Sequence, residues 1–138
     1  MNRRRIVALA SSLLVASLAC GGIGLAYEHD LTGSYAVWAT DQVEQAAVVQ
    51  KIPDTSSATI LVGPMVVAYG WDDDFIIAKQ HPNLDGFSQV DTSLTHWFIV
   101  RVATGDVYGP LAEEEYLQHR GELGISDELD FTQTIDWR

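Results

Sequence analysis

Three consecutive aspartates, Asp72, Asp73 and Asp74, form a dense cluster of carboxylates between two apolar runs of this 138-residue chain. Three adjacent carboxylates supply the hard oxygen ligands that calcium takes. Calcium loops, however, alternate their ligands with spacer residues and carry a turn glycine, as in D-x-D-x-D-G, and neither feature is present. The run is therefore read as a solvated turn that offers an acidic surface to a partner, with no metal bound. Four histidines, His29, His81, His96 and His119, are scattered along the chain. Zinc needs three or four converging ligands, and no local spacing gathers them. Glu113 and Glu115 with Asp106 make a conceivable acid–base set. Glutamates in the first turn of a helix are stabilising there in any case, and that reading is preferred. G-x-S-x-G, H-E-x-x-H, G-x-G-x-x-G and G-x-x-x-x-G-K-[ST] are all missing from the sequence. The expectation is a protein that is not an enzyme and carries no cofactor.

The single cysteine, Cys20, sits where lipid chemistry is done. Residues 1–19 have the layout of an export signal: Asn2 and three arginines, Arg3, Arg4 and Arg5, then an apolar run ending at Ala19. Cleavage before Cys20 with acylation of its sulfur would give a bacterial lipoprotein. Cleavage after Ala26 would release a soluble protein, and no cleavage would leave residues 6–26 as one membrane span. Lipidation is preferred because Cys20 follows the apolar run directly and Gly21 and Gly22 supply a flexible tether. Ala19 fits the lipobox, whereas Ser17 stands where leucine is usual. Two or three palmitate-class chains, at about 0.8 kcal/mol per buried methylene, would hold the protein firmly. The expected organisation is a signal over 1–19, a tether over 20–33 and one domain over 34–138.

Charge narrows the partners. The formal net charge is −11. Three of the eight basic residues lie in the leader, so five remain against nineteen acidic ones, a balance of −14. Such a surface excludes nucleic-acid phosphates as partners and suits solubility or a cationic protein. With one cysteine there is no internal disulfide, and about 110 residues after the leader are enough for a core to hold the fold alone.

The elements that must position these groups centre on residues 66–82, VVAYGWDDDFIIAKQHP. Two apolar runs flank the aspartates, the pattern of a β-hairpin. A three-residue loop would set Trp71 opposite Phe75. An even loop shifts the register by one and puts Phe75 and Ile77 on the face of Ala68 and Val66. Either way both faces are apolar, which predicts central strands. Residues 34–40 read as a strand with Tyr35 and Val37 on one face and Trp38 on the other. Residues 43–52 are ambiguous, with strand preferred because of Val48, Val49 and Pro53. A short strand over 59–62 precedes Gly63 and Pro64. Residues 81–95 form a long polar connection containing the turn Asn83, Leu84, Asp85, Gly86. A strand over 96–102, a turn at 103–106 and a return from Val107 make a second hairpin, ended by Gly109 and Pro110. Residues 111–123 predict a helix with Ala112, Tyr116 and Leu123 facing the sheet, Leu117 beside them, and Gly124 as its cap. Residues 129–137 alternate as a last strand. The tryptophans, Trp38, Trp71, Trp97 and Trp137, are read as core or core edge before any binding platform. The fold class is α+β: a small antiparallel β-sheet with one C-terminal helix packed on it, after an N-terminal signal or anchor helix.

Several of these pieces resemble a family of short bacterial lipoproteins of unknown function. They are the leader ending at Cys20, the strand from Tyr35 to Trp38, FIIAKQ from Phe75, and Trp97 to Val100 leading into VYGPL from Val107. The helix from Glu113 and ELGI from Glu122 complete the set. The resemblance implies an envelope location, a membrane contact through lipid on Cys20, and a small sheet with a helix; it supplies no catalytic residue. Two functions are expected in order: an envelope binding or structural module that contacts another envelope protein, then an acidic inhibitor or immunity-type protein against a cationic wall hydrolase or toxin.

Overall fold

The computed structural model describes residues 24–83 and 89–138. The leader with Cys20 and most of the turn expected at 83–86 lie outside the described residues. Among the described residues, nine strands and one α-helix follow in order: β1 (Tyr27–Asp30), β2 (Tyr35–Ala39), β3 (Ala47–Lys51), β4 (Ala58–Val62), β5 (Val66–Trp71), β6 (Phe75–Gln80), β7 (His96–Arg101), β8 (Val107–Leu111), α1 (Glu113–Glu122) and β9 (Gln133–Thr134).

The α+β class holds, but the strands make two antiparallel sheets where one was expected. The first has the order β1-β2-β3-β4 and the second β8-β7-β6-β5-β9. The cause is visible in the side chains, since strands apolar on both faces need cover on both. Tyr35, Val37, Val48 and Val62 of the first sheet meet Val66, Tyr69, Ile76 and Val100 of the second in one buried core. Phe75, Ile77, Ile99 and Leu111 point the other way and are covered by Tyr116 of α1 and by Ile125 and Leu129. The second sheet is thus sandwiched between the first sheet and the helix. The chain crosses between sheets at Gly63, Pro64 and Met65, and Met65 turns it with φ 75.

The central hairpin takes the even loop. Trp71 pairs with Ile76 and Tyr69 with Ala78, and Asp72 N–H donates to Phe75 O at 2.9 Å, leaving Asp73 and Asp74 at the tip. Phe75 and Ile77 accordingly share a face with Ala68. A register shift between Val66 and Ala68 moves Val66 to the opposite, inter-sheet face.

Four expectations need correction. Residues read as tether include β1, because Tyr27 and His29 alternate inward against Tyr69 while Glu28 and Asp30 face solvent. Gly109 and Pro110 do not end the second hairpin: β8 runs through them to Leu111, as an edge strand tolerates a residue without an N–H. Glycine is required at 109, where φ is 145 and a Cβ would lie 2.8 Å from Trp97 O. Leu117 does not face the sheet but is 57% exposed, since the inward stripe is Tyr116, Arg120 and Leu123 and Leu117 lies a further 100° or so round. The last strand is only Gln133–Thr134. Its flanks serve different cores, Leu129 and Phe131 with the helix and Ile135 between the sheets, so this segment wraps the edge of β5.

Polar links tie these pieces together. Glu115 Oε1 accepts from Ala112 N–H at 3.2 Å at the start of α1, and Gly124 caps its end with φ 67. Arg120 donates to Tyr116 Oη (3.0 Å), Ser126 O (2.7 Å) and Leu129 O (2.6 Å), fixing the chain after the helix. Lys79 Nζ lies 4.3 Å from the Trp97 ring centre and 4.4 Å from that of Phe131, a cation between two π faces.

Candidate functional site

The aspartates lie where a turn would put them. Asp72 Oδ1 accepts from Asp74 N–H and Phe75 N–H, both at 2.8 Å, and Asp74 O accepts from Val102 N–H at 2.9 Å. One carboxylate is thereby committed to the backbone, and the tip is left to solvent. Asp72 also borders a shallow depression of about 240 Å³ with Glu128 and Asp130. Among the described residues no three His, Cys, Asp or Glu side chains converge to hold a metal ion. The proposed acid–base set is not assembled: Asp106 Oδ2 accepts from Thr104 Oγ1 at 2.8 Å, whereas Glu115 serves the helix start.

The histidines go to separate places. His29 Nδ1 and Tyr27 Oη each lie 2.5 Å from the hydroxyl oxygen of the fully buried Tyr69, so both share a hydrogen bond with it. Trp71 stacks on Tyr69 and meets His29 edge-on, which pins β1 across to the second sheet. His81 Nδ1 is 3.0 Å from Leu94 O, and His119 Nδ1 is 2.9 Å from Glu115 O. His96 opens β7, a strand-end position as expected.

Burial, reinforced by the hydrogen bond to Tyr27, holds the Tyr69 proton far above the usual tyrosine range. Burial also raises Tyr35, and raises Tyr116 against the opposing pull of Arg120. The unfolded chain loses these protons first, so stability is intact below the ordinary tyrosine pKa and falls as pH rises above it. In an alkaline titration the phenolate absorbance of these three residues should appear together with the loss of tertiary circular dichroism. Tyr69→Phe should weaken that alkaline loss; ionisation of all three in a fully folded protein would contradict their burial.

The feature that sequence reasoning missed lies on the outer face of the first sheet. Ala36, Ala47 and Val49 form a small buried cluster there, with Trp38 and Ala58 packed against it. Beside them a groove of about 440 Å³ is floored by Trp38, Val49, Ala58 and Ile60. Gln45 and Glu44, from the connection between β2 and β3, border it together with Pro64 and Asn83. Ile60 is 64% exposed. Trp38 Nε1, a donor, and Asn83 Oδ1, an acceptor, are buried without a hydrogen-bond partner among the described residues. Buried polar atoms are rarely left so, and a ligand or water is the ordinary remedy. The signal was present in the sequence: Val48 and Val49 are both large and apolar, which demands cover for both faces of β3. Only one face meets the second sheet.

Of the other tryptophans, Trp71 and Trp97 behave as core edge, whereas Trp137 joins no buried cluster among the described residues. Trp71 joins the inter-sheet core, Trp97 the core beneath the helix, and Trp137 lies under Arg138, whose guanidinium is 4.9 Å from its ring centre.

The fold and this groove together define a small two-sheet α+β module with an apolar recess on one outer face. The chain belongs to a protein family of unknown function, DUF3997, whose model matches residues 32–136. No curated protein and no solved structure matches the chain.

Proposed function

We propose that this chain is a non-enzymatic binding module of the bacterial envelope, tethered to a membrane by lipid on Cys20. The observation that carries the binding half is the groove beside Trp38, an apolar recess of ligand size with one donor and one acceptor left open. The tethering half rests on the leader: an arginine-rich start, an apolar run, and the chain's single cysteine directly after it. The first strand starts at Tyr27, so six residues separate it from the anchoring cysteine. At about 3.3 Å or more per extended residue, that spacer holds the module within roughly 20–25 Å of the bilayer.

Membrane fractionation of the native chain and of Cys20→Ser tests the anchor. The native chain should pellet with membranes and the variant should move to the soluble fraction. Identical partitioning would dismiss lipidation.

The balance of −14 supports a second reading, an acidic inhibitor or immunity-type protein that covers a cationic wall hydrolase or toxin. Asp72, Asp73 and Asp74 at an exposed hairpin tip would be its leading contact. A complex held that way weakens steeply as ionic strength rises past physiological salt, whereas one seated in an apolar groove does so far less.

A further inference from the structure

Among the described residues four strands lie at sheet edges, and three of them are guarded. β1 carries Glu28, His29 and Asp30, β8 carries Gly109 and Pro110, and β9 is two residues long. Charge, proline and shortness are the devices that stop an edge from recruiting another strand. β4 has none of them. It runs for five residues with no charge and no proline, it presents Ile60 to solvent, and among the described residues no strand lies beyond it.

Antiparallel alternation fixes which of its backbone groups are free. Ile52 N–H donates to Ser57 O at 2.9 Å, and Gln50 pairs with Thr59. Ser57 and Thr59 therefore turn their backbone groups toward β3, while Ala58 and Ile60 turn theirs outward. Ala58 and Ile60 also floor the groove beside Trp38. An open backbone edge and an apolar recess thus run side by side.

We propose that β4 captures an extended, positively charged peptide segment, which adds as a fifth strand to the first sheet and lays an apolar side chain across Ile60 at the open side of the recess. Backbone pairing supplies the affinity and the recess supplies the selectivity, the division of labour usual in strand addition. Charge selects the occupant. Glu44 borders the recess, and none of the five basic residues after the leader does. Lys51 is paired with Asp30 at 2.6 Å, Lys79 and Arg101 lie over aromatic rings, Arg120 holds the chain after the helix, and Arg138 covers Trp137. A second copy of this chain would bring a surface of the same sign against it, which disfavours self-pairing.

This proposal rests on the reading of the chain as a binding module. Calorimetric titration of the full chain in nonionic detergent tests it, with the peptides KVKFKVK and EVEFEVE as probes. KVKFKVK should bind and EVEFEVE should bind at least about tenfold more weakly. In hydrogen exchange the amides of Ala58 and Ile60 should gain protection on binding. Ile60→Pro removes one outward N–H and leaves the pairing of Thr59 with Gln50 intact, so it should weaken KVKFKVK about tenfold. Ile60→Lys, which leaves the backbone unchanged, should weaken it similarly and decides the matter if the proline variant fails to fold. Equal binding of both peptides, binding unaffected at Ile60, or no binding would overturn the proposal. So would a dimer whose Ala58 and Ile60 amides are protected before any peptide is added. The peptide is supplied in solution, so this result stands apart from whether Cys20 is lipidated.

Discussion

Replacing Gly70 with alanine is expected to destabilise the protein by about 3 kcal/mol. A Cβ at Gly70 would lie 1.9 Å from Asp130 O and 2.9 Å from Asp130 C. Both are backbone atoms, so no side chain can swing aside to make room. Either β5 bends away from β6 or the segment around Asp130 lifts off the strand. The second course breaks the pairing of Ala68 with Thr134 and of Tyr69 with Gln133, and draws Phe131 away from Trp97 and Tyr116. The measurement is the urea midpoint together with the melting temperature, which should fall by roughly 12 °C for a domain of this size. A loss under about 1 kcal/mol would mean that the C-terminal segment is not seated on β5.

Ile76→Ala and Ile77→Ala are each expected to cost about 3 kcal/mol, and the two losses should nearly add. The residues are adjacent on β6 and both are fully buried, yet they belong to separate cores. Ile76 faces the first sheet with Tyr69 and Val100, whereas Ile77 faces the helix side with Ile99 and Leu111. A sheet covered on one face would show a large cost at one position and a small one at its neighbour. Equal costs are therefore the signature of a strand enclosed on both sides. Together they would remove about 6 kcal/mol, comparable to the whole stability of a typical small domain, so the double variant should be unfolded or nearly so. A cheap Ile77→Ala would show that the helix and the 125–131 segment do not cover this face.

That enclosure is legible in the sequence itself, because the two runs around the aspartates are apolar at consecutive positions. What covers each face is not. A single sheet with a helix accounts for one side, and the need for a second sheet emerges only when both hydrophobic sets are counted across all the strands. The hairpin register stands open between an odd and an even loop when apolar periodicity alone is used. Asp72 resolves it by accepting two backbone N–H bonds with its own side chain, a local preference that such periodicity does not record. The strand Tyr27–Asp30 escapes notice because four residues of alternation are too few to separate from a tether. Leu117 is misplaced through the helix start: once the first turn begins at Glu113, the inward stripe falls on Tyr116 and leaves Leu117 outside.

For the candidate site the balance is reversed. The aspartates stand out by composition and prove to be a turn whose first carboxylate is spent on its own backbone. The groove is made of common residues, Trp38, Val49, Ala58 and Ile60, drawn from three strands. No spacing joins them in sequence, since their neighbourhood depends on the register between β2, β3 and β4. The expectation of a leader ending at Cys20 is the opposite case: it rests wholly on the local order of residue types, and it falls outside the described residues.

The order of strands has a further consequence, for how the chain assembles. Eight of the nine described strands pair with a sequence neighbour, and apart from the connection over residues 81–95 between β6 and β7 each such pairing closes a short loop, so the entropy lost at most steps is small. The first four strands can zip up as a unit while the rest of the polypeptide is still emerging, and the next four can condense on them in turn. β9 alone must wait: it joins Thr134 to Ala68, spanning the whole second half of the chain, and becomes the latch that closes last. A truncated or stalled product ending before Gln133 would therefore leave β5 with a bare flank. Completion of synthesis is what removes that adhesive surface.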